Sequence, residues 1–336
     1  MNEGVVLGFS GGMDSRTAAM RLMQKGYRVV ALTIDTIGDS DMMLNAQNSA
    51  SELGIEWMSY DARERFRCEI IDYFCTEYQR GRTPAPCTRC NPQIKWRILC
   101  SVADELGITK VATGHYFNVV QRNGFYYVAM GRDKIKDQSY YLWGLSQATL
   151  ARIITPMGDA IKHEIKEGFT DKRESMGICF LRGKHYGEFL KEMGYTPIAG
   201  EVVDCNGKIC GTHTGIANYT IGQKRGKGIP DGGYVTAIDA KHNRLIIGTK
   251  EDLYKHELQI EECVVVDREE LLTANDITIK IRGFGVNPQL PVKVEANGNG
   301  YRVTTRDSML APANGQPLVF YRDNLVIGGG IVVENI

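Results

Sequence analysis

The sequence predicts an α/β domain with a doubly wound parallel sheet, followed by two small β domains. Apolar runs alternate with amphipathic helical patterns over residues 1 to about 115. After Thr196 the pattern changes almost entirely to short strands and turns, with Asn-Gly and Asp-Gly pairs between them. We therefore place the domains at residues 1–195, 196–253 and 254–336.

Strands and helices alternate in order along the first domain. The predicted strands are residues 4–9, 27–34, 56–60 and 110–113, and the predicted helices are residues 16–25, 40–53, 63–78 and 92–106. Asp39 or Ser40 caps the second helix, and Gly54 ends it. Residues 117–121 and 125–129, joined through Asn123-Gly124, predict a hairpin. Because parallel strands end at one edge of a sheet, the segments that follow them should converge on one crevice.

Composition limits the classes of protein to consider. The 336 residues are 43% hydrophobic, and no apolar run is long enough to cross a membrane. The chain enters a strand at once, so we expect no signal peptide and a cytoplasmic location. Because the net charge is zero, a nucleic-acid partner would need local basic patches. The nine irregularly spaced cysteines favour thiol chemistry or metal binding over a disulfide framework.

The segment SGGMDS, residues 10–15, carries the strongest functional pattern. It follows a predicted buried strand and precedes a helix, a geometry that directs backbone N–H groups and the helix dipole at an anion. Gly11 and Gly12 allow close approach of the backbone, and Ser10 and Ser15 add hydroxyl donors. Asp14 fits beside a phosphate if it holds Mg²⁺ or orients the loop. An ordinary tight turn is the alternative interpretation.

Three cysteines lie beside Pro or Gly in segments that we predict to be irregular. Cys87 and Cys90 form a C-x-x-C in GRTPAPCTRCN, residues 81–91, which two prolines predict to be a loop, and Cys179 lies in SMGICF, residues 175–180. Four interpretations stay open: a redox pair, half of a zinc site, an iron–sulfur cluster on three cysteines, and a pair of thiols that passes on a persulfide. We expect four other cysteines to be buried as small apolar side chains: Cys68, Cys75, Cys100 and Cys263.

The chain resembles the tRNA-uridine 2-sulfurtransferases, also called tRNA-specific 2-thiouridylases, of the ATP pyrophosphatase (PP-loop) superfamily. The resemblance covers nearly its whole length, with the motifs in the same order. They are GFSGGMDS (8–15), GRTPAPCTRCN (81–91), ATGHY (112–116), KDQSYYL (136–142), SMGICF (175–180), YTIGQKRGKG (219–228), GQPLVFY (315–321) and GGGI (328–331). It implies an adenine nucleotide alpha hydrolase-like first domain, a small central β domain and a C-terminal β-barrel.

The resemblance also implies an activity, the thiolation of C2 of the wobble uridine in tRNA. ATP with Mg²⁺ adenylates O2 of the base, and sulfur then replaces AMP to give 2-thiouridine. Cys179 matches the persulfide carrier, and Cys90 matches the nucleophile. ATP contacts are implied for Gly8, Phe9, Ser10, Gly11, Gly12, Met13, Asp14, Ser15, Ile34 and Gly114. Contacts with tRNA are implied for His115, Lys136, Asp137, Gln138, Arg282, Gly283 and Gln316.

Cys87 departs from the family pattern, because that position is Asp in some members and Cys in others. A [4Fe–4S] cluster on Cys87, Cys90 and Cys179, with sulfide on the open iron, is therefore the alternative to the persulfide scheme. The sulfur donor is a cysteine desulfurase with a relay protein, or inorganic sulfide. We expect a monomer that does not bind membranes.

Lys224 and Arg225 lie in a small glycine-rich basic loop, which we predict to contact tRNA phosphates. Two other functions are considered. A PP-loop ligase or sulfurtransferase could act on another RNA or on a small molecule, and would then release pyrophosphate without tRNA. A non-catalytic RNA-binding or metal-storing protein would have no use for an intact SGGMDS segment and three cysteines in such motifs.

Overall fold

The computed structural model describes residues 3–166, 177–283 and 286–335, and its chain divides into two compact units. The first unit consists of residues 1–70, 87–175 and 324–327. The second consists of residues 71–86, 176–323 and 328–336. The domain boundaries given above stay a prediction.

The first unit contains the predicted parallel sheet. The strands of this unit are β1 (Gly4–Gly8), β2 (Arg28–Asp35), β3 (Glu56–Asp61), β4 (Lys110–Thr113), β5 (Phe117–Arg122), β6 (Phe125–Met130) and β7 (Ile153–Ile154). Five of them are parallel neighbours in the order β3-β2-β1-β4-β7. The order reverses at β1, so the loop after β1 lies at the switch point where such sheets bind ligands. β5 and β6 form the predicted hairpin, with Asn123 and Gly124 at φ 52° and 82° in its turn.

Helices cover the sheet of the first unit as the pattern predicts. In chain order the helices up to residue 166 are α1 (Met13–Gln24), α2 (Ser40–Leu53), α3 (Arg63–Phe66), α4 (Asp72–Gln79), α5 (Pro86–Cys90), α6 (Trp96–Glu105), α7 (Gln147–Leu150) and α8 (Lys162–Lys166). Asp39 caps α2 by accepting from the Met42 N–H at 3.0 Å, and Gly54 ends that helix at φ 66°. The buried core of the first unit is formed by Leu7, Ala19 and other apolar residues of β1, β2, α1 and α2.

The loop predicted for residues 81–91 is confirmed for residues 81–85 and wrong for the C-x-x-C pair itself. Cys87 and Cys90 lie in α5, which begins at Pro86 and continues through a π-helical segment (Asn91–Lys95) into α6. Proline is tolerated in the first turn of a helix because the N–H it lacks would have no helical partner there. Pro86 therefore starts this helix, and the expected break does not occur.

Cys68 is also placed differently from the prediction. Phe66 and Ile70 are buried as their spacing predicts, but Cys68 is exposed. A residue two positions from each of them points to the opposite side of the helix. Of the other three cysteines, Cys75 is buried, whereas Cys100 and Cys263 are half-buried.

The second unit is rich in strands. A four-stranded sheet has the order β10-β11-β8-β9, with β8 (Gly200–Asp204), β9 (Ile209–His213), β10 (Tyr234–Asp239) and β11 (Arg244–Gly248). A larger sheet has the path β13-β16-β17-β12-β15-β14, with β12 (Tyr254–Val265), β13 (Thr278–Lys280), β14 (Lys293–Asn297), β15 (Gly300–Leu310), β16 (Pro317–Arg322) and β17 (Leu325–Asn335). Among the described residues, three α-helices belong to this unit: α4, α9 (Tyr186–Glu192) and α10 (Arg268–Thr273). Within the described residues, no helix is long and apolar enough to cross a membrane.

Replacing Glu77 by Gln should destabilise the second unit. The Glu77 side chain is 5% exposed and lies 3.2 Å from Arg82, and the backbone N–H of Arg82 donates to the Glu77 carbonyl at 2.9 Å. Removing one partner of a buried ion pair leaves the other charge uncompensated, so we expect the free energy of unfolding to fall by about 2 kcal/mol. Urea unfolding monitored by intrinsic fluorescence measures the change.

The matched control is Glu201→Gln, because Glu201 and Arg244 pair at 2.8 Å with side chains 40% and 46% exposed. Exposed pairs of this kind contribute little, and we expect a change of about 0.5 kcal/mol or less. Equal losses for the two variants would show that burial of Glu77 does not set its contribution.

Candidate active site

SGGMDS forms a tight turn between β1 and α1. Gly11 has a φ of 72°, and Gly12 is the N-cap residue of α1, which begins at Met13, earlier than predicted. The hydroxyl oxygens of Ser10 and Ser15 lie 3.3 Å apart, and Ser15 Oγ donates to the Gly12 carbonyl at 2.9 Å. These bonds hold the turn at the positive end of the helix dipole, where backbone N–H groups can bind an anion.

Two glycines are tightly packed, and Gly11 leaves no room for a Cβ. A Cβ on Gly11 would lie 2.7 Å from Ala46 Cα, in the backbone of α2. A Cβ on Gly114 would lie 3.0 Å from the Ser15 backbone nitrogen. The end of β4 therefore approaches the start of α1 directly, which brings Gly114 to the loop, as predicted from the strand order. On the other side of β1, Thr33 Oγ1 donates to the Phe9 carbonyl at 2.8 Å, next to Ile34 at the end of β2.

Asp14 is held by two donors that reach the same carboxylate oxygen. Tyr116 Oη donates to Oδ1 at 2.7 Å, and Lys162 Nζ donates to it at 2.6 Å. The Asp14 side chain is 38% exposed, whereas that of Lys162 is 8% exposed. Burial and the hydrogen bond to Asp14 raise the pKa of Tyr116, so its phenol stays a donor at neutral pH. A half-exposed carboxylate beside an anion-binding loop fits a hard cation such as Mg²⁺.

Lys162 is a residue that sequence reasoning missed. It lies in the short helix α8, far along the chain from Asp14, and no motif marks it. Its ammonium also lies 5.9 Å from the centroid of the Tyr116 ring. A buried lysine needs compensation, and the carboxylate and the ring face supply it.

The C-x-x-C pair belongs to the same unit as the phosphate loop. Cys87 and Cys90 are three residues apart in α5, so both thiols lie on one face of the helix. Cys90 is 6% exposed and Cys87 is half-buried. Asn91 Nδ2 donates to the Cys87 carbonyl at 2.9 Å and to the Tyr141 carbonyl at 3.2 Å, which fixes α5 to the KDQSYYL segment.

That segment is in turn joined to the residues around Asp14. The backbones of Gln138 and Tyr116 are linked at 2.9 Å, and Gln138 Oε1 accepts from the Tyr116 N–H at 2.9 Å. Tyr116 donates to Asp14, as described above. Hydrogen bonds thus connect the phosphate loop, the KDQ motif and the C-x-x-C helix within one unit.

Of the four predicted tRNA contacts of this unit, Asp137 is buried, whereas His115, Lys136 and Gln138 are half-buried. Asp137 is 8% exposed and accepts from Ser139 Oγ at 2.7 Å and from the Gly131 N–H at 3.0 Å. Its carboxylate therefore stabilises the local turn through these hydrogen bonds. Burial, with the charge of Lys95, lowers the pKa of His115 to about 3, so its ring is neutral at physiological pH. The ring contacts Thr113 Oγ1 at 2.8 Å through Nδ1.

Cys179 lies in the second unit on a 3₁₀ turn, Cys179–Leu181. Its side chain is exposed, whereas the next residue, Phe180, is 6% exposed. The Phe180 ring lies 5.1 Å from the ring of Phe74 and 5.1 Å from that of Phe189, between centroids. The aromatic cluster anchors the turn and leaves the thiol at the surface. Residues 175 and 176 of the predicted motif lie outside the described part of the chain.

The remaining predicted RNA contacts also belong to the second unit. Lys224 and Arg225 are exposed on a loop with a fixed backbone, since Gln223 Nε2 donates to the Arg225 carbonyl at 2.7 Å and Tyr219 Oη donates to the Lys227 carbonyl at 2.7 Å. Three others are partly buried: Arg282, Gly283 and Gln316. Arg282 Nη2 donates to the carbonyls of Leu310 and Ala311, and Gln316 Oε1 accepts from the Ala313 N–H at 3.2 Å. The side chains of Arg282 and Gln316 thus have structural partners already.

No group of three or more His, Cys, Asp or Glu side chains within residues 3–166, 177–283 and 286–335 is arranged to hold a metal ion. Cys87 and Cys90 belong to the first unit and Cys179 to the second. Their three-cysteine cluster therefore stays a prediction, and the spacing of Cys87 and Cys90 on one helical turn suits two of its ligands.

Together, the switch-point loop and the parallel sheet define an α/β domain of the nucleotide-binding class. A family model described as the tRNA methyl transferase HUP domain matches residues 3–183. Models described as the tRNA methyl transferase PRC-barrel domain and the aminomethyltransferase beta-barrel domain match residues 187–249 and 255–332. The predicted fold class, an α/β domain followed by two β domains, is confirmed.

Full-length relatives identify the family. The chain is 37% identical to tRNA-specific 2-thiouridylase MnmA 1 of Bacteroides fragilis, over 98% of this chain and 97% of that one. It is 38% identical to tRNA-specific 2-thiouridylase MnmA 2 of Phocaeicola vulgatus, over 99% and 98% of the two chains. A solved structure, titled a predicted subunit of tRNA methyltransferase from Methanocaldococcus jannaschii, matches 57% of this chain and 88% of its own length at 21% identity, with a TM-score of 0.37. The protein belongs to the tRNA-specific 2-thiouridylase family.

Proposed function

We propose that the protein is an ATP-dependent tRNA-uridine 2-sulfurtransferase that thiolates C2 of the wobble uridine. The observation that carries the proposal is the hydrogen-bonded connection from the phosphate loop through Tyr116 and the KDQ motif to the C-x-x-C helix. An activation site and a thiol site are both needed, because a carbonyl oxygen is a poor leaving group until it is adenylated. Membership of the thiouridylase family supports the same activity.

In the first step, O2 of the uracil attacks the α-phosphate of ATP, and pyrophosphate leaves. The N–H groups of Gly11 and Gly12 and the Ser10 hydroxyl would stabilise the charge that develops on the phosphates. Mg²⁺, when bound, supplies positive charge to the polyphosphate, and Asp14 is the residue that would hold it. The target base must leave its stack to reach such a site, as in other enzymes that modify bases.

In the second step, sulfur adds to C2 and AMP leaves. In the persulfide version, the terminal sulfur on Cys179 attacks C2, and the Cys90 thiolate then attacks the inner sulfur. The S–S bond of the persulfide breaks, the sulfur stays on the base, and a Cys90–Cys179 disulfide forms that an external thiol must reduce. In the cluster version, the iron would hold the sulfide. Anaerobic iron and sulfide analysis of active protein decides between the versions, because a colourless active protein contains no cluster.

Thiolation of unmodified tRNA tests the proposal directly. The protein, ATP, Mg²⁺ and a thiol reductant are incubated with the tRNA and with one of two labelled sulfur sources, and its nucleosides are analysed by mass spectrometry. Sulfide supplies the cluster version, whereas a persulfide donor such as a cysteine desulfurase with its relay protein supplies the sulfane sulfur that the persulfide version needs. We expect 2-thiouridine that depends on ATP and carries label from one of these two sources. Because two of the matching family models are described as tRNA methyl transferase domains, a parallel reaction with a labelled methyl donor is included. Methyl transfer without sulfur incorporation would reject the proposal.

Reversing the charge of the basic loop should weaken tRNA binding. Lys224 and Arg225 are exposed on a backbone that hydrogen bonds hold in place, so Lys224→Glu with Arg225→Glu changes charge without disturbing the core. We expect tRNA affinity to fall by about tenfold or more at low salt, and the salt dependence to lose about 2 units of slope. Filter binding at several salt concentrations measures both quantities.

Lys241→Glu with Lys250→Glu is the matched control, because both lysines are exposed in the same unit and the charge change is equal. We expect a smaller loss of affinity for this pair. Equal losses would indicate a general effect of charge and would reject a specific role for the basic loop.

A further inference from the structure

The phosphate loop contains an aspartate and no lysine, although it is expected to receive the most negatively charged part of ATP. In the folded protein the missing cation comes from elsewhere in the chain. Lys162 Nζ lies 2.6 Å from Asp14 Oδ1, and the Lys162 side chain is 8% exposed. A carboxylate that faces a polyphosphate is repelled by it unless a nearby cation neutralises the charge.

The backbone of Lys162 is fixed independently of its side chain. Its N–H donates to Asp133 Oδ2 at 2.9 Å, while Asp133 Oδ1 accepts from the N–H groups of Ile135 and Lys136 at 3.1 and 3.3 Å. Burial would raise the pKa of Asp133, but these backbone hydrogen bonds and the charge of Lys136 hold it below its usual value. Asp133 is therefore a stable anchor for Lys162.

Both ends of Lys162 are thus held by carboxylates, one in the phosphate loop and one in the turn that precedes the KDQ motif. We propose that Lys162 is a positioning residue for the adenylation step, one that neutralises and orients Asp14 so that the loop accepts the polyphosphate of ATP. The inference rests on the proposed function, because it takes the SGGMDS loop to be the ATP site. It assigns a role to a side chain that none of the sequence motifs contains.

Lys162→Met tests the role because methionine has a similar length and no charge. The readout is the KM for ATP in tRNA-dependent pyrophosphate release, with the thermal midpoint as a measure of folding. We expect the KM to rise by about tenfold or more while the protein stays folded. Lys162→Arg, which keeps the charge, should recover part of the loss.

A double-mutant cycle with Asp14→Asn tests whether Lys162 acts through Asp14. If it does, removing the carboxylate also removes its repulsion of the polyphosphate. The KM for ATP of the double variant should then rise by less than the product of the two single-variant increases. Arg21→Met is the matched control, because Arg21 lies on α1 with Asp14 but donates to the Pro156 carbonyl at 3.0 Å. The increases in KM for ATP caused by Arg21→Met and by Asp14→Asn should multiply in the double variant.

Three results would overturn the inference: an unchanged KM for ATP in Lys162→Met, a lowered thermal midpoint with no change in KM, or losses that multiply with those of Asp14→Asn. If Lys162→Met does not fold, Asp133→Asn weakens the anchor instead, and it should raise the same KM. A wild-type protein that releases no pyrophosphate with ATP and tRNA would reject the proposed function. A wild-type protein that does so, with an equal KM in the variants, would reject the inference alone.

Discussion

Replacing Gly11 by Ala should abolish ATP-dependent chemistry. The new Cβ would lie 2.7 Å from Ala46 Cα and 2.9 Å from the Ala46 nitrogen, and the φ of 72° is unfavourable for any residue with a side chain. The contact is with the backbone of α2, so no side-chain rotation relieves it. The loop or the helix must move, and a displacement of about 1 Å at a reacting group can lower a rate by about a hundredfold.

The rate of tRNA-dependent pyrophosphate release measures this effect, and we expect a loss of about a hundredfold or more for Gly11→Ala. Gly26→Ala is the matched control, because Gly26 has a φ of 85° but no atom lies within 4 Å of its Cβ position. The control has the same unfavourable backbone conformation without the clash, so its catalytic rate should stay near that of the wild type. A Gly11→Ala protein with normal rate and normal KM would show that the loop is not the ATP site.

Replacing Cys179 by Ser should abolish thiolation and leave adenylation intact. Cys179 is exposed, and the turn that carries it is anchored by Phe180, so a hydroxyl in place of the thiol should not disturb the fold. A serine at this position can neither hold a persulfide nor ligate a cluster as a thiolate does. The loss is therefore expected in both versions of the sulfur-transfer step.

Two measurements separate the half-reactions. Formation of 2-thiouridine should fall below detection, while tRNA-dependent pyrophosphate release continues at a rate similar to that of the wild type. Cys205→Ser, at another exposed cysteine of the same unit, should keep both activities. Thiolation at a normal rate by Cys179→Ser would remove Cys179 from the mechanism, and equal loss in both variants would indicate non-specific damage.

Local patterns in the sequence predicted most of the fold, because strands, helix ends and tight turns depend mainly on interactions between residues close in the chain. Alternating apolar runs gave the parallel strands, and Asp39 and Gly54 marked the ends of α2. Asn123-Gly124 marked the hairpin, since both residues adopt positive φ there. The C-x-x-C helix was missed because the effect of proline depends on its position. Proline disrupts the interior of a helix but is favoured in the first turn.

The candidate site was less predictable than the fold. Gly11, Asp14 and Gly114 come together because neighbouring parallel strands end at one edge, which strand order already implies. Lys162 could not be found in this way, since it meets Asp14 across 148 residues of chain. The resemblance implied a tRNA contact for Asp137, but its carboxylate is buried and accepts from the N–H groups of Gly131 and Ser139. Such pairings depend on tertiary packing, which no local pattern records.

The raised pKa values of three buried or half-buried thiols bear on the proposed persulfide version of the sulfur-transfer step. Burial is the first cause in each case, and it raises the pKa of Cys75 to about 11 and that of Cys263 to about 12, with Cys100 shifted in the same direction. A sulfane sulfur passes between thiolates, so thiols that stay protonated at neutral pH are poor acceptors of it. In the proposed persulfide chemistry, these three thiols would therefore compete poorly with other cysteines for sulfane sulfur.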